Sequence, residues 1–359
     1  MIAARDPVEI GLVVYPGVQG AAVLGLTDLF QLANRLAAER SPDVLRLRVS
    51  HWQLQEASQT VIRTFDSEPG PGHGPAMVIL PPTLGDPIPR QAAAPYADWL
   101  RARHAAGATL GSVCAGAFVL AETGLLSGRA ATTHWAYRDA LAIRFPDIVL
   151  DADKLVIDDG DIITAGGYMA WTDLGLKLVD RVLGPTVMIE TARFMLVDPP
   201  GREQRFYSPF APRLSHGDKA ILKVQHWLQA RGARDVTLAT MAEHAALEER
   251  TFLRRFRNAT GLKPTEYCQH LRIGKAREML EATTRSIDQI AWDVGYDDPG
   301  SFRKVFARIT GLVPGDYRRR FGVERAAPPD GGSERGGGGG TTRRLRVAIG
   351  LKRKRGVSQ

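Results

Sequence analysis

Apolar positions follow two different rules in the two halves of the chain. Residues 10–15 form a short apolar run ending at Pro16-Gly17, which predicts a buried strand, and residues 21–38 repeat apolar side chains at helical spacing. Residues 45–52 alternate apolar and polar side chains, residues 76–80 are an apolar run stopped by Pro81-Pro82, and residues 92–106 are helical in character. A strand over 109–113 enters a helix running through Glu122, and strands around 149–157 and 161–165 precede helices over 168–183 and 186–195. Strands alternating with helices predict an α/β domain over 1–197, with a mostly parallel sheet covered by helices on both faces. Residues 198–216, DPPGREQRFYSPFAPRLSH, carry Pro and charge without periodicity and are assigned as a linker.

The second half, residues 217–322, has only helical spacing and repeats itself. Phe252 pairs with Phe302, Phe256 with Phe306, Thr260 with Thr310, Gly261 with Gly311, Leu262 with Leu312, Pro264 with Pro314 and Tyr267 with Tyr317, all at an offset of 50. Upstream the offset is 49, pairing Leu238 with Ile287, Met241 with Ile290, Ala242 with Ala291 and Leu247 with Tyr296, so the second copy gains one residue between its helices. Each copy predicts a short helix capped by Thr237 or Ser286, a turn, and a second helix that buries its aromatic pair. That is an all-α domain of two helix-turn-helix units. The opposite face of the second helices presents Arg250, Thr251, Arg254, Arg255 and Arg257 in one copy and Ser301, Arg303 and Lys304 in the other, side chains able to reach phosphates and base edges. Residues 264–281 read as one helix with Tyr267, Leu271, Ala276 and Leu280 inward, a strut that would set two reading helices roughly 34 Å apart on one DNA face. Residues 323–359, Gly-rich and then basic, cannot bury a core and predict a disordered tail.

Charge sharpens this division. Residues 1–200 hold 16 Lys+Arg against 22 Asp+Glu, while residues 201–359 hold 31 against 17, so only the second half is suited to a polyanion. Cys114 and Cys268 are the only cysteines and fall in different halves, which argues against a disulfide framework and for a cytoplasmic protein. No basic leader precedes an apolar core, and no run approaches the roughly 18 apolar residues of a membrane span. No metal-ligand cluster or phosphate loop appears, so no cofactor or metal is expected.

The stretches RTFLRRFRNATGLKPTEY, SIDQIAWDVGY and SFRKVFARITGLVPGDYR resemble the AraC/XylS-type transcription regulators over residues 219–321. The resemblance implies double-stranded promoter DNA as partner, read by residues 248–257 and 299–307, with RNA polymerase as a further partner and a homodimer as the working form. Leu253 and Gly300 stand where many members of that family carry polar residues.

In the first half, Gly111-Ser112-Val113-Cys114-Ala115-Gly116 places a thiol where a strand turns sharply into a helix, the pattern of a nucleophile elbow. A helix N-terminus there is expected to lower the thiol pKa, with His134 as a candidate partner. Spacing alone leaves two readings open: a reactive pair, or an inert buried thiol beside a hydrogen-bonded histidine. SVCAGAFVLAETGLLSGRAATTHW resembles the DJ-1/PfpI superfamily over residues 8–196, which implies a flavodoxin-like fold, and the two halves together resemble the GlxA-type regulators. Enzymes of that superfamily use an acid from the first helix. Here QGAAVLGLTDLF puts Ala22 at the first acidic position and leaves Asp28 at the second, and Pro82 removes an expected N–H donor. The expectation is therefore a small-molecule site at Cys114, Ala115, His134 and Asp28 rather than an enzyme, the alternative being a cysteine-dependent hydrolase or hydratase fused to a DNA-binding domain. The resemblance implies an amino acid or quaternary amine as effector.

Overall fold

The computed structural model describes residues 6–41, 44–70, 74–199, 201 and 203–322. The α/β part runs β1 (Val8–Val14), α1 (Gly20–Arg40), β2 (Leu47–Gln55), β3 (Thr60–Asp66), β4 (Met77–Leu80), α2 (Arg90–Ala105), β5 (Thr109–Val113), α3 (Gly116–Ala121), β6 (Ala130–Ala131), α4 (Arg138–Arg144), β7 (Val149–Leu150), β8 (Val156–Asp158), β9 (Ile162–Ala165), α5 (Trp171–Leu183) and α6 (Pro185–Phe194). Seven strands form one sheet in the order β3-β2-β1-β4-β5-β9-β8. The four inner junctions, β2-β1, β1-β4, β4-β5 and β5-β9, are parallel, and each edge strand is antiparallel to its neighbour.

Both faces of this sheet are covered, which is why β4 at its centre, MVIL, is apolar without interruption and β1, β5 and β9 bury side chains on both faces. Successive residues point to opposite faces. Ile10, Leu12, Met77 and Ile79 enter a core with α1 and α5, while Val13, Val78 and Leu80 enter a second core with α2 and α3.

Several elements differ from the sequence expectation, β6 and α4 among them, which fall where none was predicted. Residues 149–157 are not one strand: β7 pairs with β6 in a separate parallel ladder, and β8 joins the main sheet. β3 was not expected because its polarity is inverted: Ile62 and Phe65 face outward while Arg63 and Asp66 point inward. Inside, Arg63 donates to Glu9 and Asp66, and Arg48 donates to Asp66 through Nε at 2.9 Å. Inward charges on an edge strand discourage pairing with another chain.

The helical part runs α7 (Lys219–Ala230), α8 (Leu238–His244), α9 (Glu249–Thr260), α10 (Pro264–Ala282), α11 (Ile287–Asp293), α12 (Pro299–Thr310) and α13 (Pro314–Phe321). Thr237 and Ser286 cap α8 and α11 as expected, each in a reciprocal box with the residue three positions on, Thr240 or Gln289. The repeat extends to ring geometry. Phe256 meets Tyr267 edge-on at 5.3 Å, and Phe306 meets Tyr317 edge-on at 5.4 Å. Gly261 and Gly311 end α9 and α12 in the left-handed region, where a Cβ would be strained.

α10 departs from a single apolar stripe. Tyr267 and Cys268 are buried against the first helical unit, whereas Ile273, Ala276 and Leu280 are buried against the second. Leu271 is only partly buried. Arg272 holds the units together, with Nε on the Ala233 carbonyl at 2.9 Å and Nη1 on the Gly295 carbonyl at 2.8 Å. The basic tail expected over 323–359 lies outside the described residues.

Candidate effector site and nucleic-acid interface

The elbow forms where β5 meets α3. Cys114 has φ of 54°, a conformation rare outside glycine, and is pinned by its N–H on the Ala165 carbonyl at 2.7 Å. The Thr133 hydroxyl donates to the Cys114 carbonyl at 2.8 Å, tying the elbow to the segment that carries His134. Gly116 is required: a Cβ there would lie 2.2 Å from the Leu80 carbonyl oxygen.

The expected low thiol pKa is overturned. Burial pushes the Cys114 thiol up to about 12, and the hydrogen bond from Ala115 offsets only part of this. The thiol is neutral at physiological pH.

His134 is half-buried and opens the 3₁₀ turn Trp135–Tyr137, accepting the Ala136 N–H at Nδ1 at 3.1 Å. Burial lowers its pKa, so it too is neutral. Among the described residues no hydrogen bond joins Cys114 to His134. The rings of Trp135 and Tyr137 lie 5.1 and 5.7 Å from the imidazole.

Two phenols missed in the sequence respond to the thiol: the pKa values of Tyr15 and Tyr137 are both raised by burial first and by the Cys114 charge second. Tyr15 donates to the Pro81 carbonyl and Tyr137 to the Gly85 carbonyl, so both hold the loop after β4. Pro82 faces Gln19 with its carbonyl, accepting the Gln19 N–H at 2.7 Å. The loop length after the proline pair hid these partners from the sequence.

Asp28 requires correction. It is exposed on α1, whereas Ala22 is fully buried in the core cluster that includes Cys114. Six helical residues separate them, which is ~9 Å along the axis and a turn of ~120°. Asp28 is not delivered to the elbow.

On the helical part, α9 buries Phe252 and Phe256 and leaves Arg250, Arg254 and Arg257 exposed. These three fall at i, i+4 and i+7 and form one basic stripe. Thr251 lies at its border, half-buried. Arg255 belongs elsewhere: its guanidinium donates to both oxygens of Asp218, the N-cap of α7, at 2.9 and 2.7 Å. On α12, Ser301, Arg303 and Lys304 are exposed, with Arg303 paired to Asp288. At the offset of 50, Gly300 and Ala307 replace Arg250 and Arg257, so the second stripe is less basic.

A helix-turn-helix domain model matches residues 241–320, and a DJ-1/PfpI family model matches residues 77–181. The transcriptional regulator GlxA of Rhizobium meliloti is 31% identical over 226 residues, 62% of this chain and 69% of that protein. The chain belongs to the AraC-type transcription regulators that carry a DJ-1/PfpI domain. Its similarity to the regulator CdhR of Pseudomonas aeruginosa is 29% over 222 residues, covering 62% of this chain and 66% of that one. This AraC-type chain is also similar to an enzyme over part of its length. Isonitrile hydratase of Pseudomonas putida is 35% identical over 152 residues, 42% of this chain and 60% of that protein. Among the described residues, no helix is long and apolar enough to cross a membrane.

Proposed function

We propose that the protein is a sequence-specific DNA-binding regulator of transcription, working as a homodimer, whose grip on a promoter is set by a small molecule bound at Cys114, Ala115 and His134. The observation that carries this is the duplicated helix-turn-helix with the Arg250, Arg254 and Arg257 stripe on the exposed face of α9. Arginines on a helix that fits the major groove contact phosphates and guanine edges, and two units fixed by α10 and Arg272 engage successive turns of one duplex.

The site chemistry favours binding over catalysis. A neutral thiol, a neutral imidazole with no hydrogen bond to it, and Ala22 in place of an acid supply neither nucleophile nor general acid. Trp135 and Tyr137 beside His134 suit a quaternary ammonium group, which aromatic faces attract. Ligand control requires that the effector bind one arrangement better than another.

Footprinting on the promoter of the chain's own operon, with and without a panel of amino acids and betaines, tests the reading. An effector-dependent footprint is expected. Identical protection across the panel would refute ligand control, and no protection at any promoter would refute the DNA-binding role. The similarity to isonitrile hydratase raises a second reading, catalysis at Cys114, which requires turnover of an isonitrile that disappears in Cys114→Ala.

A further inference from the structure

One side chain outside the elbow occupies a position that neither half explains alone. Gln204, in the segment between the two parts, is 2% exposed and has every polar atom of its amide engaged on the α/β part. Nε2 donates to the Thr133 carbonyl at 2.9 Å, to the Lys154 carbonyl at 2.9 Å and to the Thr132 hydroxyl at 3.1 Å, and Oε1 accepts the Trp135 N–H at 3.2 Å. The slot offers three acceptors and one donor in a row. A primary amide answers it, sharing two N–H bonds among the three acceptors and turning its oxygen to the donor, whereas a carboxylate would meet two carbonyl oxygens with nothing to donate. Space is reserved for it: a Cβ on Gly166 would lie 1.8 Å from Nε2.

The wall of this slot is the segment Thr132 to Trp135, which presents His134 and ties Thr133 to the Cys114 carbonyl. The next turn of chain grips the other half. Tyr207 and Ser208 donate their N–H groups to the Gln204 carbonyl, closing one turn. Arg277 of α10 then takes the Phe206 and Ser208 carbonyls, and Arg320 of α13 takes the Tyr207 hydroxyl at 2.8 Å. Phe206 abuts Gly311, the left-handed residue that ends α12: a Cβ on Gly311 would lie 2.5 Å from the ring. Three residues, Gln204 to Phe206, therefore span from the loop of the candidate effector site to the end of the second reading helix.

We infer that Gln204 is the coupling residue of this regulator, keying the seating of the second helix-turn-helix unit to the conformation of the His134 loop. This deepens the ligand-control reading and rests on it for biological meaning, but the mechanical coupling is measurable without effector or DNA. Coupling through a linker is reciprocal: what loosens one end must loosen the other.

Hydrogen exchange with mass spectrometry on the full chain tests it. Gln204→Ala should speed amide exchange both in residues 131–137 and in residues 299–321, by on the order of fivefold or more, the lower range of measured couplings. Residues 238–260 of the first unit should be unchanged. Gly166→Ala, which presses a methyl onto the amide from the α/β side, should reproduce this pattern if Gln204→Ala fails to fold. Arg277→Ala enters from the other end and should speed exchange in residues 131–137, which it does not hydrogen-bond.

A cleft of about 560 Å³ lined by Trp135, Arg138 and Arg277 offers a competing path between the halves. The double variant Gln204→Ala with Arg277→Ala separates the two. Coupling through Gln204 leaves the loop no faster than either single variant does, because one path has been cut twice. Additive loosening, or a Gln204→Ala effect confined to residues 131–137, would overturn the inference.

Discussion

Arg255 and Asp218 join the middle of α9 to the N-cap of α7 through two parallel hydrogen bonds of 2.9 and 2.7 Å. The same carboxylate accepts the Ile221 N–H, so one acid caps a helix and anchors a second. Arg254, one residue earlier, is exposed on the basic stripe. Adjacent arginines thus have different duties. Arg255→Ala should lower the melting temperature while leaving the salt dependence of DNA affinity unchanged. Arg254→Ala should leave melting unchanged and reduce the slope of log affinity against log salt by about 1, the loss of one phosphate contact. Melting curves and fluorescence anisotropy at several salt concentrations decide between them, and a salt slope altered by Arg255→Ala would place it on DNA after all.

The two reading helices differ in charge along one stripe. Replacing Arg250, Arg254 and Arg257 together should remove about three units of salt slope, and Lys304→Ala about one, if each cation meets one phosphate. Equal losses would show that the less basic α12 reaches the backbone through other groups. Gly300 and Ala307 on α12 leave its contribution to close packing against base edges, so Lys304→Ala should weaken cognate and random duplexes alike. Competition titration with the two duplexes reads this directly.

Cys114 has the backbone of an activated nucleophile but not its electrostatics. Its thiol is pushed up to about 12, and that of Cys268 to about 11, both by burial. Thiolate is the reactive species, so the native protein should resist iodoacetamide at pH 7.5 at both positions and react at both once unfolded in guanidinium. Peptide mass spectrometry gives the site-by-site rates. Alkylation of native Cys114 at the rate of a free thiol would restore the reactive reading and make oxidative sensing worth testing.

Much of this architecture was legible because it is periodic. The seven residue pairs at an offset of 50 mark aromatic rings and cap glycines that recur in space, and the apolar runs over 10–15 and 76–80 announce two central strands. What was not legible depends on three-dimensional partners. β3 inverts the usual polarity because Arg63 and Asp66 answer Glu9 and Arg48 across the sheet. Asp28 was assigned from the superfamily's pattern and Arg255 by residue type on a helix face, and the structure turns one to solvent and the other to Asp218. Gln204 sits in a segment without periodicity, where only its neighbours in space give it a role.

Gly116 is a steric requirement of the elbow. A methyl at this position would meet the Leu80 carbonyl oxygen at 2.2 Å and the Pro81 carbonyl oxygen at 2.9 Å, and backbone atoms cannot swing aside as a flexible side chain can. Gly116→Ala should therefore destabilise by about 1–3 kcal/mol, the range for overpacking a tight core. Urea denaturation measures it. Unchanged stability would mean that β4 and α3 separate more readily than their packing implies.

Acid should unfold this protein through its paired aspartates. Hydrogen bonding from Arg48 holds Asp66 below the usual carboxylate range, and hydrogen bonds from Arg129 and then His104 do the same for Asp161. A group with a depressed folded pKa binds protons more readily when unfolded, so its stabilising contribution is fully present above the unfolded value of about 3.9 and shrinks as pH falls toward the folded value. Melting temperature should be nearly flat from pH 7 to about 5 as far as these two groups are concerned, then drop with increasing steepness below pH 4. Asp66 is the informative one, because it is the more buried of the two and bridges Arg48 on β2 to Arg63 on β3. Asp66→Asn should be less stable at pH 7 and show a shallower acid limb, since the site no longer takes up a proton on unfolding. Calorimetric scans of both proteins between pH 3 and pH 7 provide the comparison. An acid limb of equal depth in the variant would show that other carboxylates set the transition and that the β2-β3 charge network does not.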